Sequence, residues 1–269
     1  EKIVVDFGMW PEPDVEEGWR GKEFDEFVEK CKVDYKDKTT NGCFAPWMMY
    51  KDEFLSIGGH DPRFHSARED SDVFNRLTLD GFELIQSWQS YVYHLTARGG
   101  QFQHGKLTKD HSQKSEEWQK LMNNSTREFF RKWGTGVIHN EYMMPQVAPK
   151  YDIGFVVENC NSHILNTLEP WCSTIYVDTF AEEYINVEQP NTLYNLNKRI
   201  YSIDNEKNND IIIKFNAGEL NQERFEFITK LPWVLKESGE VGEMEYDIFK
   251  ITINSLKTYE NENITCKIN

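Results

Sequence analysis

The chain reads as an α/β protein in two unequal units. Strand-like and helix-like runs alternate through residues 151–269, an acid-opened amphipathic segment begins at Glu69, and the sequence changes character near Pro149. With 269 residues, 39% of them hydrophobic and 14% aromatic, the chain can bury a core and does not read as disordered.

In order, Glu1–Phe7 predicts a short strand, followed by a Pro-, Gly- and acid-rich loop carrying Trp10 and Trp19. Glu23–Cys31 places Phe24, Phe27, Val28 and Cys31 on one helical face. Gly42–Tyr50 is an aromatic-rich run expected to form a buried strand, which Pro46 confines to an edge or a bulge. Asp52 is expected to cap a short helix over Glu53–Ile57, ended by Gly58-Gly59. Asp70–Asp80 predicts a helix with Val73, Phe74 and Leu77 inward and Gly81 at its stop. Two strands, Phe82–Gln86 and Tyr91–Leu95, are expected next, then a loop over 97–110. A long helix runs from Ser115 and ends at Gly134.

Beyond the connector 136–150, strands are expected at Tyr151–Val157, Thr174–Val177, Asp210–Phe215 and Met244–Ile253. Helices are expected at Ser162–Leu168 and Asn221–Lys236. The units are therefore 1–135, a linker over 136–150, and a smaller α/β unit over 151–269.

A formal charge of −15 disfavours nucleic acid and anionic membrane surfaces, because phosphate binding needs clustered Lys and Arg. It still admits a nucleotide held through a divalent cation and backbone amides. Cys31, Cys43, Cys160, Cys172 and Cys266 show no Cys-x-x-Cys spacing and are odd in number, which points to thiols in a reducing compartment. No apolar run is long enough to span a membrane and the start does not read as a signal peptide. The expected location is cytoplasmic. The chain starts without Met, directly on an apolar run, and is expected to be a piece of a longer protein.

The run Glu69-Asp70-Ser71-Asp72 carries most of the chemistry. Carboxylates in a first helical turn can simply complement the exposed N–H groups and the dipole. Held beside a Gly-rich loop, such a carboxylate can also take a proton from a hydroxyl, as inverting glycosyl transfer requires. His94, after the strand-like Tyr91-Val92-Tyr93, is either structural or a ligand for a Mn²⁺-like ion. His60, His65 and His104 are weaker ligand candidates. Trp47, Trp88, Tyr91 and Tyr93 either stack on a sugar face or pack in the core.

As an ordered set, these residues resemble the acceptor-side half of a GT-A glycosyltransferase of the inverting family-2 type. The set comprises the strand through Phe44–Met49, Ile57-Gly58-Gly59-His60-Asp61, Glu69-Asp70, Arg76-Leu77, Gly81 and His94. Glu69 to Leu77 is also similar to the Glu-Asp-Asp-Asp…Asn-Arg-Leu run of β-1,4-galactosyltransferases. Phe130-Arg131-Lys132-Trp133-Gly134 resembles the tail of family-2 catalytic domains. The resemblance covers about residues 40 to 134.

It implies a partial GT-A, Rossmann-like domain in which Asp70 is the general base and Glu69 supports it. Gly58, Gly59, Trp47 and Arg76 would lie on the acceptor side, and His94 would bind Mn²⁺ or Mg²⁺. The implied substrates are a nucleotide-sugar donor and a glycan or other hydroxyl acceptor. The family's N-terminal nucleotide-binding half, with its Asp-x-Asp, has no counterpart before Gly42. The chain is therefore expected to be the C-terminal piece of a larger glycosyltransferase of viral or bacterial origin, with an accessory domain appended. The alternative expectation is a non-catalytic glycan- or protein-binding module. A hydrolase using Glu69 and Asp70 is disfavoured, since adjacent carboxylates do not face each other across a cleft.

Overall fold

The computed structural model describes residues 21–43, 45–65, 67–93 and 116–259. The protein is α/β, with a mixed six-stranded sheet built entirely from its second half. The strands are β3 (Ile153–Glu158), β4 (Thr174–Val177), β5 (Ile200–Ser202), β6 (Ile211–Asn216), β7 (Gly242–Tyr246) and β8 (Phe249–Ile253). Their spatial order is β5-β4-β3-β6-β8-β7. The first four are mutually parallel, and β8 runs antiparallel to both β6 and β7.

The parallel strands are mostly apolar, as expected where both faces of a sheet are largely covered, with Lys214 of β6 an exposed exception. Ile153 to Val157 are all buried, as are Ile211, Ile212 and Ile213. On one face Phe155, Val157, Ile175, Ile213 and Phe249 pack with Leu165 and Leu168 of α5 (Ser162–Leu168). Ile228, Leu231 and Leu235 of α7 (Gln222–Ser238) complete this core. The opposite face holds a smaller cluster of Val156, Tyr176 and Ile212. Asn161 and Asn221 cap α5 and α7 through their side-chain oxygens, which fixes where each helix leaves its preceding loop. A third helix, α6 (Glu182–Glu188), follows β4.

The first half is less regular. It holds α1 (Gly21–Asp34), β1 (Thr39–Asn41), α2 (Lys51–Ser56), α3 (Glu69–Leu79) and β2 (Ile85–Ser87), with β1 and β2 in a small antiparallel pair. Ile57, Val73 and Leu77 form its core under Trp47, Phe54 and Phe74. The long α4 (Glu116–Trp133) closes on Gly134, whose φ of 72° suits only glycine without strain. It packs on both halves. Phe129 and Trp133 meet Phe64 of the first half, and Phe130 stacks on Trp171 of the second at 4.0 Å.

Four sequence expectations need correction. Residues 47–50 keep the side-chain alternation of a strand, with Trp47 and Met49 half-buried between exposed Met48 and Tyr50. No ladder forms there among the described residues, and Pro46 contributes no N–H to one. Asp52 does not cap α2; Tyr50 holds the cap position without a side-chain bond, and Asp52 lies in the first turn. Tyr91 to Tyr93 are not a strand; Tyr91 and Tyr93 instead pack edge-on against Phe27 and Phe24 of α1. The single strand expected over Met244–Ile253 is a hairpin that turns at Asp247, where φ is 49°. The expected strand at Glu1–Phe7, the 97–110 loop and Trp10 and Trp19 lie outside the described residues. Among the described residues no helix is long and apolar enough to cross a membrane.

Candidate functional site

The acidic run divides into two kinds of residue. Asp72 faces inward and is fully buried. Its carboxylate accepts from Arg76 Nε at 2.9 Å and from Trp133 Nε1 at 3.0 Å, and Lys132 Nζ lies 2.6 Å away. Arg76 also donates to the carbonyls of Ile57 and Gly59, so its fork ties α3 to the glycine turn. That turn needs Gly58 and Gly59 because their φ values are 92° and 66°. Lys132 reaches a second carboxylate, Asp61, at 2.7 Å, and Arg63 pairs with Asp61 at 3.0 Å. Burial works against the Asp61 carboxylate, but Lys132 and Arg63 outweigh it and hold Asp61 below the usual carboxylate range.

Asp70 has a different setting. It is half-buried in the first turn of α3, and its Oδ1 accepts from the indole N–H of Trp47 at 3.1 Å. Its Oδ2 accepts no hydrogen bond among the described residues. Glu69 beside it has Oε2 buried without a hydrogen-bond partner. The chain enters α3 through Ala67 and Arg68, whose φ values of 65° and 69° are uncommon for residues with a Cβ. Such strain tends to collect at functional turns. Arg68 Nε donates to Thr126 of α4, which pins this turn.

Aromatic rings line the same corner. Trp47 lies within 6.3 Å of the Phe54, Phe74 and His60 rings, and Phe54 meets His60 at 5.1 Å. A Cβ on Gly59 would touch the Phe54 ring. Around them Met48, Tyr50 and Leu55 are exposed. Burial pushes the nearby Cys43 thiol up to about 12, and the Asp70 charge adds to the effect, so Cys43 is no nucleophile at neutral pH.

Among the sequence candidates, the structure thus joins Asp70, Glu69, Trp47, Gly58 and Gly59 in one corner. Arg76 requires a correction. Its side chain is fully buried and its guanidinium donors are spent on Asp72, Ile57 and Gly59, so it supports the corner from beneath and cannot contact an acceptor. Trp88 belongs elsewhere, bonded to Thr40 under Lys38. His94 and His104 lie outside the described residues, and His65 is exposed near α4. His60, a weaker candidate in sequence, turns out to pack on Trp47; its place beside the glycine turn was the available signal.

Mg²⁺ takes about six ligands, usually one or two protein carboxylates with substrate oxygens and waters. Among the described residues no three His, Cys, Asp or Glu side chains gather in a group able to hold one. Asp72 is taken up by Arg76, Lys132 and Trp133, which leaves Glu69 and Asp70 as the carboxylates of this turn.

A second buried network joins α4 to the large sheet. Arg131 pairs with Glu128 at 2.7 Å, Glu169 at 2.6 Å and Glu188 at 2.5 Å, and Arg199 reaches Glu169 at 2.6 Å. Burial would raise the Glu169 carboxyl, but Arg199 and Arg131 overcome it and hold its pKa at about 2. The Tyr194 ring lies between the Arg63 and Arg199 guanidinium groups, at 4.8 and 5.3 Å. The corner carrying Asp70 thus rests on a frame that is continuous with the sheet. No protein-family model matches the chain, and neither a curated protein nor a solved structure matches it.

Proposed function

We propose that the Asp70 corner is the acceptor side of an inverting glycosyl-transfer site, with Asp70 as general base. One observation carries this reading: Asp70 is held by Trp47 through one oxygen while its other oxygen takes no bond among the described residues. In this mechanism an acceptor hydroxyl lies against the Trp47 and Tyr50 side of the corner. Its oxygen attacks the anomeric carbon of a nucleotide-sugar and forms the new C–O bond. The bond to the nucleotide phosphate breaks, and the hydroxyl proton passes to Asp70 Oδ2. Fixing the carboxylate at a helix start and against an indole keeps it aimed at the hydroxyl without reorganisation during reaction. Glu69 stands beside Asp70 in the same turn, with its Oε2 closed to solvent, and supports the base from behind.

The test is release of nucleotide from a panel of UDP- and GDP-sugars in the presence of glycan acceptors, with added Mn²⁺ or Mg²⁺. Asp70→Asn should lower transfer by about 10²–10⁴-fold, the contribution expected of a positioned base. Near-normal turnover in that variant would remove Asp70 from the role. A second reading, a glycan-binding module without catalysis, is favoured by exposed Met48, Tyr50 and Leu55 around the Trp47 cluster. Glycan binding that survives Asp70→Asn, with no nucleotide released by any protein, would select it.

A further inference from the structure

A second cleft lies where α4 meets the turn after α6. It encloses about 510 Å³, within the range of small-molecule sites, and is walled by the Arg63–His65 loop, one side of α4 and the Pro190–Leu193 segment. Glu128 of α4 lines it and is only 2% exposed. Its Oε1 accepts from Arg131 Nη1 at 2.7 Å and from the Thr192 hydroxyl at 2.5 Å. Its Oε2 is buried and has no partner. That oxygen is closed to solvent, so a ligand in the cleft meets the groups around it.

The walls restrict that occupant. Asn124 Nδ2 donates to Asn191 Oδ1 at 3.4 Å, and Asn191 Nδ2 donates to the Val187 carbonyl. The two amides keep further N–H groups and an acceptor oxygen for a ligand. The charges cancel: Arg63 is answered by Asp61, Glu128 by Arg131, and exposed Lys120 stands with exposed Glu117. An anion would meet two carboxylates and a cation would meet Arg63 and Lys120, so neither gains. Leu121, Pro190 and Leu193 add apolar surface. Groups that both donate and accept, carried on a neutral body with apolar C–H faces, describe a sugar.

We infer that the cleft between α4 and the Pro190–Leu193 segment binds a neutral saccharide unit, whose hydroxyls bond the Asn124 and Asn191 amides. This site shares no residue with the Asp70 corner and does not depend on its chemistry. It would hold a glycan chain on the protein without taking part in bond making.

Saturation-transfer NMR on the full chain tests it, using the methyl glycosides of glucose, galactose, mannose and N-acetylglucosamine. Inorganic phosphate and ethanolamine serve as charged probes, followed by ³¹P and proton line broadening respectively. At least one glycoside should give a signal. Leu193→Trp, which fills the cleft, and Asn124→Ala, which removes an amide, should each weaken its affinity at least tenfold. Both leave the Arg131 network in place, so they avoid the folding defect that a Glu128 variant risks. Asp70→Asn should bind as the wild type does. The inference is overturned if no glycoside binds, if a charged probe binds in preference, or if both cleft variants bind normally. Binding lost in Asp70→Asn but kept in Leu193→Trp would place the sugar in the other corner and also overturn it.

Discussion

Arg131 and Lys132, neighbours on α4, send their charges to opposite halves of the protein. Arg131 meets Glu169 and Glu188 beside the large sheet, and Lys132 meets Asp61 and Asp72 beneath the candidate site. Successive helical residues point about 100° apart, so one helix can serve two buried networks at once. This explains why α4 carries buried charges, Glu128, Arg131 and Lys132, in place of a plain apolar stripe. It also ties the site to the sheet mechanically.

Removing one partner from a buried ion pair costs more than the pair is worth, because the remaining charge stays buried. Lys132→Met leaves Asp61 and Asp72 short of a cation and should lower unfolding free energy by about 3–5 kcal/mol. Arg76→Leu should cost a similar amount and loosen the Gly58-Gly59 turn. Urea denaturation of both variants measures this. A wild-type midpoint for Arg76→Leu, together with a raised acceptor KM, would return Arg76 to the acceptor role that the buried geometry denies it.

Acid should unfold the protein partly through Glu169. Its folded pKa of about 2 lies below the ordinary value of 4.5. The stability it provides is therefore present above about pH 4.5 and is lost as pH falls from there towards 2. The loss is of the order of 3 kcal/mol for a shift of this size. Asp61, also lowered, adds in the same direction. Urea midpoints should hold between pH 6 and about 4.5 and fall from there to 2.5, and Glu169→Gln should flatten that fall while starting from lower stability. An unchanged slope in the variant would show that other carboxylates carry the acid sensitivity.

Trp47→Phe keeps the ring and removes the N–H that holds Asp70 Oδ1. If Asp70 is the base, kcat should fall by about 10²-fold through its misplacement, with acceptor KM little changed. Trp47→Ala should raise KM as well, since the ring face is lost. Equal kcat in Trp47→Phe and wild type would mean that the indole contact does not position the base.

Much of the second half was legible in the sequence. Ser162–Leu168 and Thr174–Val177 occupy the predicted spans because an Asn cap and a short apolar run mark them locally. The helix at Asp70 and its Gly81 stop, and the long helix before Gly134, were marked in the same way. Short elements were missed, among them β5 and α6, whose three and seven residues show too little periodicity. The run at 42–50 misled because an aromatic-rich composition reports burial and not a ladder partner.

By itself, the sequence determined the α/β class, most of the long elements, and the order of glycines, acids and aromatics from which the candidate site is drawn. Those features follow from local periodicity, capping and turn chemistry, which neighbouring residues fix. Only the tertiary structure gave Asp70 and Asp72, two residues apart in one helical turn, their separate partners. Asp72 turns inward to Arg76, Lys132 and Trp133, while Asp70 meets the Trp47 indole with one oxygen and leaves the other available. Partners 23 and 61 residues distant make that difference, and no local pattern encodes them.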